Sequence, residues 1–254
     1  MSRAEKNGAH RSTHVRSIER ALAILEQLAS SGTACSLSGL ASSVGLPSGT
    51  THRVVQTLVA HGYVRQLETR EYVLGPSLVG LGNKALQGTG IGAEPHLRKL
   101  ADATGATAGL AILDGADVVF IAQAVPRDRA VRVVLELGER APFASSAIVD
   151  AILASLPSGT WSRVLTPQAC RSYCDRDAVA RIEQVRRRGY SVEGGQGDGG
   201  VVCLAAGLSS LEVPAAVVLL GVGMRPTSVA NSAVVRTVQS TASALKREIE
   251  RRRW

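Results

Sequence analysis

The stretch between residues 36 and 62 constrains the fold of this chain more than any other part of the sequence. It contains two short helical patterns that only Gly45-Leu46-Pro47 separates. In the first pattern, four apolar residues recur at the spacing of one helical face: Leu37, Leu40, Ala41 and Val44. Ser36 is placed to cap this helix, because its hydroxyl can accept a hydrogen bond from an otherwise unpaired N–H group. Two short helices joined by so tight a turn predict a helix-turn-helix.

The second pattern has an apolar side and a polar side. Its inner face is formed by Thr51, Val54, Val55 and Leu58, and its outer face by Gly49, His52, Arg53 and Gln56. Small residues allow a helix to approach DNA closely, and Arg, Gln and His side chains can bond base edges or phosphates. An ordinary helical hairpin with a solvated face fits the same residues, so the pattern alone leaves both interpretations open.

The neighbouring segments favour the DNA-binding interpretation. Upstream, an apolar stripe from Ile18 to Ala29 predicts a helix that Ser17 caps and Gly32 ends. Downstream, residues 63–67 and 71–74 predict two strands around a polar turn. Helices followed by a hairpin predict a winged helix-turn-helix, whose wing would present two arginines to phosphates. The predicted DNA-binding residues are Ser48, Gly49, Thr50, Thr51, His52, Arg53, Gln56, Arg65 and Arg70.

Three segments of this half carry a family resemblance. They read R-S-I-E-R-A-L-A-I-L-E-Q-L, then L-A-S-S-V-G-L-P-S-G-T-T-H-R-V-V-Q-T-L-V-A-H-G-Y-V, then Y-V-L-G-P. This run, nearly gap-free from Arg16 to Gly82, resembles the N-terminal domain of IclR-type transcriptional regulators. At Ser48 and Gly49 the family often has Lys or Arg followed by Ser. The resemblance therefore implies that this chain lacks one phosphate or base contact.

The sequence divides into four parts. Residues 1–15 lack periodicity and are expected to form a disordered arm before the winged helix at 16–75, and residues 76–92 predict a linker helix. In residues 93–254, helical patterns alternate with apolar segments expected to be strands at 106–113, 117–124, 130–137, 201–208 and 215–222. Antiparallel strands with helices grouped around them predict an α+β domain of the GAF or PAS type.

This second domain also carries a resemblance, with departures. The segments L-G-E-R-A-P-F-A-S-S-A-I-V-D-A-I-L-A-S-L-P and R-R-R-G-Y-S-V-E-G-G-Q-G-D-G-G-V-V-C-L-A-A are similar to the effector-binding domain of the same family. Cys203 falls on a family Cys, and Glu193 on an acidic position. The departures include Ala144 for His, Val149-Asp150 for Gly-Lys, Gln196 for Glu and Gly207 for Pro. Relatives that bind small oxo-acids have Ser at two strand positions that here are Leu220 and Val222.

These departures shape the expected ligand. The predicted ligand-binding residues are Leu110, Ile112, Val133, Ser145, Ser146, Glu193, Cys203, Leu220 and Val222. A buried carboxylate must be met by hydrogen bonds, and few donors remain in this set. We therefore expect an effector that is larger and less charged than a short oxo-acid and is held by apolar contacts. The helix start at Ser145 leaves carboxylate binding open, and a collapsed pocket without a ligand is the competing interpretation.

Composition excludes several classes of protein. The formal charge of +8 suits a polyanionic partner, but residues 1–90 and 91–254 each carry +4, so it is only supporting evidence. Residues 1–14 lack the apolar core of a signal peptide, and the longest apolar run, Val213–Met224, is too short to span a bilayer. No arrangement of Ser, His or Cys suggests catalysis. We expect a cytoplasmic protein that is not an enzyme, with no cofactor, no metal and no membrane partner.

The predicted function is therefore that of a transcriptional regulator, most simply a repressor. It would bind a double-stranded DNA operator as a homodimer or homotetramer, through contacts of Leu78, Leu81 and Leu86 with a partner chain, and a small-molecule effector would modulate its affinity. One alternative is a constitutive repressor with a decayed effector pocket. A second is a redox or metal sensor that uses Cys170, Cys174 and Cys203.

Overall fold

The computed structural model describes most of the chain, which divides into two compact units at the boundary between Ala85 and Leu86. The described residues are 15–88, 92–115, 117–128, 131–138, 140–142, 146–167, 169, 173, 175–194, 200–208, 214–223, 226 and 231–251. The predicted N-terminal arm, apart from Val15, lies outside them. No helix among them is long and apolar enough to cross a membrane.

The first unit contains three helices, a hairpin and a fourth helix. Its elements are α1 (Arg16–Ser31), α2 (Leu37–Ser43), α3 (Ser48–Ala60), β1 (Val64–Gln66), β2 (Tyr72–Leu74) and α4 (Ser77–Gly88). β1 and β2 pair antiparallel, with Arg65 opposite Val73. This order of elements is the predicted winged helix-turn-helix.

Local sequence signals set the ends of these helices. The Ser36 hydroxyl accepts a hydrogen bond of 3.1 Å from the Gly39 N–H, as predicted for a cap. Gly32 and Gly45 have φ values of 62° and 63°, which glycine adopts without the strain a Cβ would bring. The prediction that Ser17 caps α1 is wrong. The helix begins at Arg16, two residues earlier than a cap at Ser17 would require, with Val15 at the cap position and no side-chain cap.

One apolar cluster holds the first unit together. It contains Ile24, Leu28, Leu40, Val55, Leu58, Val64 and Tyr72, so each of the three helices and both strands contributes to it. Tyr72 also exchanges backbone hydrogen bonds with Cys35, which ties the wing to the start of α2. After the wing, a Cβ at Gly75 would lie 2.1 Å from the Gly62 carbonyl oxygen. The chain can therefore pass the end of α3 only with glycine at position 75.

The second unit is built on a six-stranded antiparallel sheet. Its order is β5-β4-β3-β8-β7-β6, where β3 is Thr107–Asp114, β4 Asp117–Ala124, β5 Arg140–Pro142, β6 Ser191–Gly194, β7 Val201–Leu208 and β8 Ala215–Val222. The helices are α5 (Glu94–Thr104), α6 (Ser146–Ser155), α7 (Trp161–Val164), α8 (Arg176–Arg188) and α9 (Ser232–Arg251). The expected α+β architecture is confirmed, whereas β5 and β6 were not anticipated.

Helices cover both faces of this sheet and create two cores. On one face, α6 and α8 pack on a cluster that includes Ala111, Cys203 and Leu220. On the other face, α5 and α9 pack on a cluster that includes Leu110 and Leu204. Successive residues of a strand point to opposite faces, so neighbouring residues of β3 enter different cores.

The predicted strand at 130–137 is wrong in its described part, residues 131–137. These residues carry no ladder pairing. They are held instead by side chains: the Thr107 hydroxyl donates to the Val133 carbonyl at 2.7 Å, and the Gln123 amide bonds both backbone groups of Leu135. The apolar pattern misled because Val131 and Val134 are exposed rather than packed in a core.

Candidate nucleic-acid interface and ligand site

The outer face of α3 is solvent-exposed over its whole length. Ser48, Gly49, His52, Arg53 and Gln56 are exposed. On the opposite side of the same helix, apolar residues fill the core of the first unit. The helix is therefore anchored from behind, and its polar residues are free to contact a partner.

Thr50 and Thr51 differ from the rest of the predicted set. Thr50 is half-buried, and Thr51 is fully buried with its hydroxyl donating to the Pro47 carbonyl at 3.2 Å. Thr51 thus faces the core, where it supports the first turn of α3. It must be removed from the predicted DNA contacts.

Arg53 is available for intermolecular contact. Within the part of the chain that the structure describes, its guanidinium has neither an ion pair nor a hydrogen bond, although its carbonyl accepts from the Thr57 hydroxyl. An ion pair inside the first unit would have made this guanidinium unavailable to DNA. A cation without an internal partner on an exposed helix is suited to base edges or phosphates.

A groove of about 550 Å³ runs between α1 and this helix. It is lined by Ser17, Arg20, Thr50, His52, Arg53, Val54, Gln56 and Thr57. The lining includes two arginines and no carboxylate. The sequence patterns did not indicate Ser17 or Arg20 as binding residues, because their position beside α3 depends on the packing of two helices.

The wing presents two further arginines. Arg65 on β1 and Arg70 in the turn are both exposed. Arg70 has a φ of 67°, and its carbonyl accepts from the Gln66 side-chain amide at 3.4 Å. The turn is closed further by the hydrogen bond from the Leu67 N–H to the Glu71 carbonyl, 2.8 Å long.

Several arginines of the second unit have structural partners. Arg181 binds Asp150 through two hydrogen bonds, of 2.6 and 3.2 Å, and Arg186 donates to the Ala154 and Leu156 carbonyls near the end of α6. Arg188 lies over the Tyr190 ring, and Arg140 bonds Asp114. Part of the positive charge of the second unit is therefore engaged in contacts within that unit, so its net charge is weak evidence for DNA binding.

The predicted ligand residues do not come together in one place. Val133, Cys203 and Leu220 belong to the face of the sheet covered by α6. Leu110 and Ile112 belong to the opposite face, against α5 and α9. A single pocket cannot include both groups, because the sheet lies between them. Ser145 lies outside the described residues, as does the side chain of Ser146.

Two cavities are lined by residues of the predicted ligand-binding set. Leu220 and Val222 line a cleft of about 20 Å³, close to the volume needed for a single water. Leu110 lines a larger cavity of about 410 Å³, together with Ala93, Ile121, Gln123 and Leu137. The cleft that the described residues form beside Leu220 is therefore much smaller than the cavity beside Leu110.

The start of α6 already interacts with a carboxylate of this chain. The Ala147 N–H donates to the Glu193 carboxylate at 3.3 Å. A helix N-terminus favours negative charge, so Glu193 occupies part of the site that a ligand carboxylate would otherwise use.

A polar cluster around the buried Asp150 follows in the next turn of α6. Burial raises the pKa of Asp150, and its hydrogen bonds with Arg181 oppose this shift. Those bonds in turn raise the pKa of Arg181. Burial, and then the Asp150 charge, raise the pKa of Tyr173 to about 12. The Tyr173 hydroxyl thus stays protonated at neutral pH and remains a donor.

The cysteines that the structure describes take part in no metal site. Cys203 is buried within β7, and the half-buried Cys35 donates to the Ser31 hydroxyl at 3.2 Å. Cys170 and Cys174 lie outside the described residues. Among the residues that are described, no group of His, Cys, Asp and Glu is arranged to hold a metal ion.

Two family models match this chain. The IclR helix-turn-helix domain matches residues 17–68, and the bacterial transcriptional regulator IclR C-terminal domain matches residues 85–247. The chain belongs to the IclR family. It is thus a member of a family of DNA-binding transcriptional regulators, and the α3 surface described above lies within its IclR helix-turn-helix domain.

Similar proteins and structures agree with this IclR assignment. The HTH-type transcriptional regulator BhcR of Paracoccus denitrificans is 31% identical over 96% of this chain and 90% of its own length. The transcriptional repressor IclR of Escherichia coli is 31% identical over 76% of this chain and 74% of its own length. The structure of HmgR from Pseudomonas aeruginosa has a TM-score of 0.71 at 27% identity, covering 91% of this chain and 98% of that one.

Proposed function

We propose that this IclR-family protein represses transcription by binding a specific operator, and that a small molecule bound in its second unit changes its affinity for DNA. The observation that carries the DNA-binding part is the outer face of α3, where Arg53 and Gln56 are exposed on a helix anchored by a buried core. The similarity to a protein named as a transcriptional repressor supports the sign of regulation.

In this mechanism, α3 enters the major groove and the wing contacts the backbone beside it. A helix with side chains is about 10–12 Å across and the major groove is about 12 Å wide, so α3 would fill the groove. Arg53 and Gln56 would then reach base edges, while Arg65 and Arg70 on the wing would meet phosphates. Each protein copy would read one half-site of a near-palindromic operator.

The proposed assembly is a homodimer, with a homotetramer as a further step. Several apolar side chains are exposed on two helices of the first unit. Val15, at the cap position of α1, and Ile18 are both 58% exposed, and Leu22 is 52% exposed. On α4, Val79 is 65% and Leu81 is 50% exposed. Exposed apolar residues grouped on one element often mark a protein interface. Of the three expected contacts, Leu81 is exposed, Leu78 is half-buried, and the side chain of Leu86 is outside the described residues.

The assembly is tested by sedimentation of the full chain at micromolar concentration. A wild-type dimer that Leu81→Glu dissociates would support the proposal. The matched control is Val179→Glu, which places the same charge on an exposed apolar residue of α8 and should leave the dimer intact. A monomeric wild type, with or without DNA, contradicts it.

For the ligand, we propose a compound that is larger and less charged than a short oxo-acid. The Glu193 carboxylate at the start of α6 supports this, because it opposes a second carboxylate there. The small cleft beside Leu220 favours the constitutive repressor with a decayed pocket as a second candidate. Metabolite binding would act through the coupling of two sites, typically worth about 1–3 kcal/mol.

Calorimetry against short keto-acids and neutral aromatic compounds separates these possibilities. Binding of a neutral aromatic compound that alters operator affinity supports the proposal, and tight binding of a short keto-acid contradicts it. The absence of any binding would favour the constitutive repressor.

DNA recognition itself is tested by selection. The purified protein is used to enrich ligands from randomised duplexes, and its affinity for the enriched duplex is compared with that for a scrambled duplex. We expect about 10³-fold discrimination or more.

We also propose that the protein acts in the bacterial cytoplasm, because its proposed partner is operator DNA.

A further inference from the structure

We propose that Arg20 on α1 binds a backbone phosphate of the DNA, within the groove between α1 and α3, so that α1 forms part of the DNA-binding surface. This inference rests on the proposed function, which is DNA binding through α3. It adds a contact outside both the helix-turn-helix and the wing.

The groove places Arg20 beside the residues expected to face DNA. Ser17 and Arg20 are three residues apart and lie on one side of α1. The other wall comes from α3, where Thr50, Arg53 and Thr57 share a side of the helix. Arg20 is half-buried, so its guanidinium extends from a stem that is already held in place.

The charge of the groove suits a phosphate. Its eight lining residues include two arginines and no acid. Within the described part of the chain, the guanidinium of Arg20 has no ion pair or hydrogen bond that would neutralise it. A guanidinium can donate two parallel hydrogen bonds to phosphate, which makes Arg a preferred residue for this contact.

The position of the groove indicates a phosphate rather than a base. When α3 fills the major groove, the residues at its flank meet the walls of that groove, which are the sugar-phosphate strands. Arg20 belongs to a different helix that packs along this flank. Because α1 would stay outside the major groove that α3 fills, we expect Arg20 to meet a phosphate rather than a base edge.

The contact predicts a specific salt dependence. Each neutralised phosphate contributes about 0.9 to the slope of log affinity against log salt. Loss of one contact per copy should lower the slope by about 0.9, or about 1.8 for a dimer on its operator. Between 50 and 200 mM salt, the ratio of variant to wild-type Kd should therefore fall about 3.5-fold per copy.

The experiment measures fluorescence anisotropy of the full chain with Arg20→Gln, on a selected operator duplex and a scrambled duplex of equal length. We expect weaker binding to both duplexes by a similar factor, together with the lower salt slope. Arg20→Lys should keep much of the slope because it keeps the charge. Arg236→Gln replaces an exposed arginine on α9 and is the matched control. It should change neither the Kd nor the salt slope on either duplex.

Three outcomes would overturn the inference. The first is an unchanged Kd and slope for Arg20→Gln with a normal melting temperature. The second is a loss confined to the operator at an unchanged slope, which is the behaviour of a base contact. The third applies where Arg20→Gln does not fold: it is an Arg20→Lys variant whose slope is lower than that of wild type by about 0.9 per copy although the charge is kept. A wild type that binds both duplexes equally would instead contradict the proposed function, and the scrambled duplex would still report the phosphate contact.

Discussion

Replacement of Arg53 by Ala should reduce the discrimination between the operator and other DNA sequences without affecting folding. Arg53 is exposed on α3 and has no internal partner among the described residues, so its truncation leaves no buried group unpaired. Surface substitutions of this kind change stability by less than about 0.5 kcal/mol. A good base contact contributes about 1–3 kcal/mol, which corresponds to about 5- to 150-fold in Kd for each copy bound.

The assay compares the Kd of Arg53→Ala and wild type on the selected operator and on a scrambled duplex, at one salt concentration. We expect the large loss on the operator and a much smaller loss on the scrambled duplex. Arg236→Ala removes the same side chain from an exposed site on the second unit and should behave as wild type. If Arg53→Ala melts normally and still discriminates as well as wild type, the assignment of the outer face of α3 to base contacts is refuted.

Three further substitutions test the structure around the two sites. Gly49→Ala should stabilise α3 by up to about 1 kcal/mol in urea unfolding, because an added Cβ meets no atom within 4 Å, and a clear loss would contradict this. Gly207→Ala should destabilise the second unit by about 1–3 kcal/mol in the same assay, because its Cβ would lie 2.2 Å from the Ala151 carbonyl oxygen, and a neutral result would show that α6 is less tightly packed. Burial raises the folded-state pKa of Asp150 above its ordinary value of 3.8. Its ionisation therefore lowers the free energy of unfolding as pH rises from that value through the raised pKa. The melting temperature of wild type relative to Asp150→Asn should therefore fall from pH 4 to pH 7, and a rise would mean that the Arg181 pairing dominates.

Much of the first unit was predictable because its signals are local. The apolar spacing in α2 and α3, the Ser36 cap and the glycines in left-handed conformation act within a few residues of one another. Such signals are present in the sequence whatever the rest of the chain does. The position of Arg20 beside α3 is different, because it depends on how two helices pack.

The second unit was predictable in its class but not in its faces. Its central strands are apolar at nearly every position, since helices cover both sides of the sheet. Without alternation of polar and apolar residues, the sequence cannot indicate which residues share a face. For that reason Leu110 and Leu220 were predicted to line one pocket, although the sheet separates them.

The most direct test of the central claim is methylation interference on the selected operator. Methylation of guanine N7 blocks the major groove, whereas methylation of adenine N3 blocks the minor groove. The account predicts that guanine N7 methylation prevents binding in two half-sites, spaced one helical turn or a multiple of it apart. Interference by adenine N3 methylation alone would contradict the placement of α3 in the major groove.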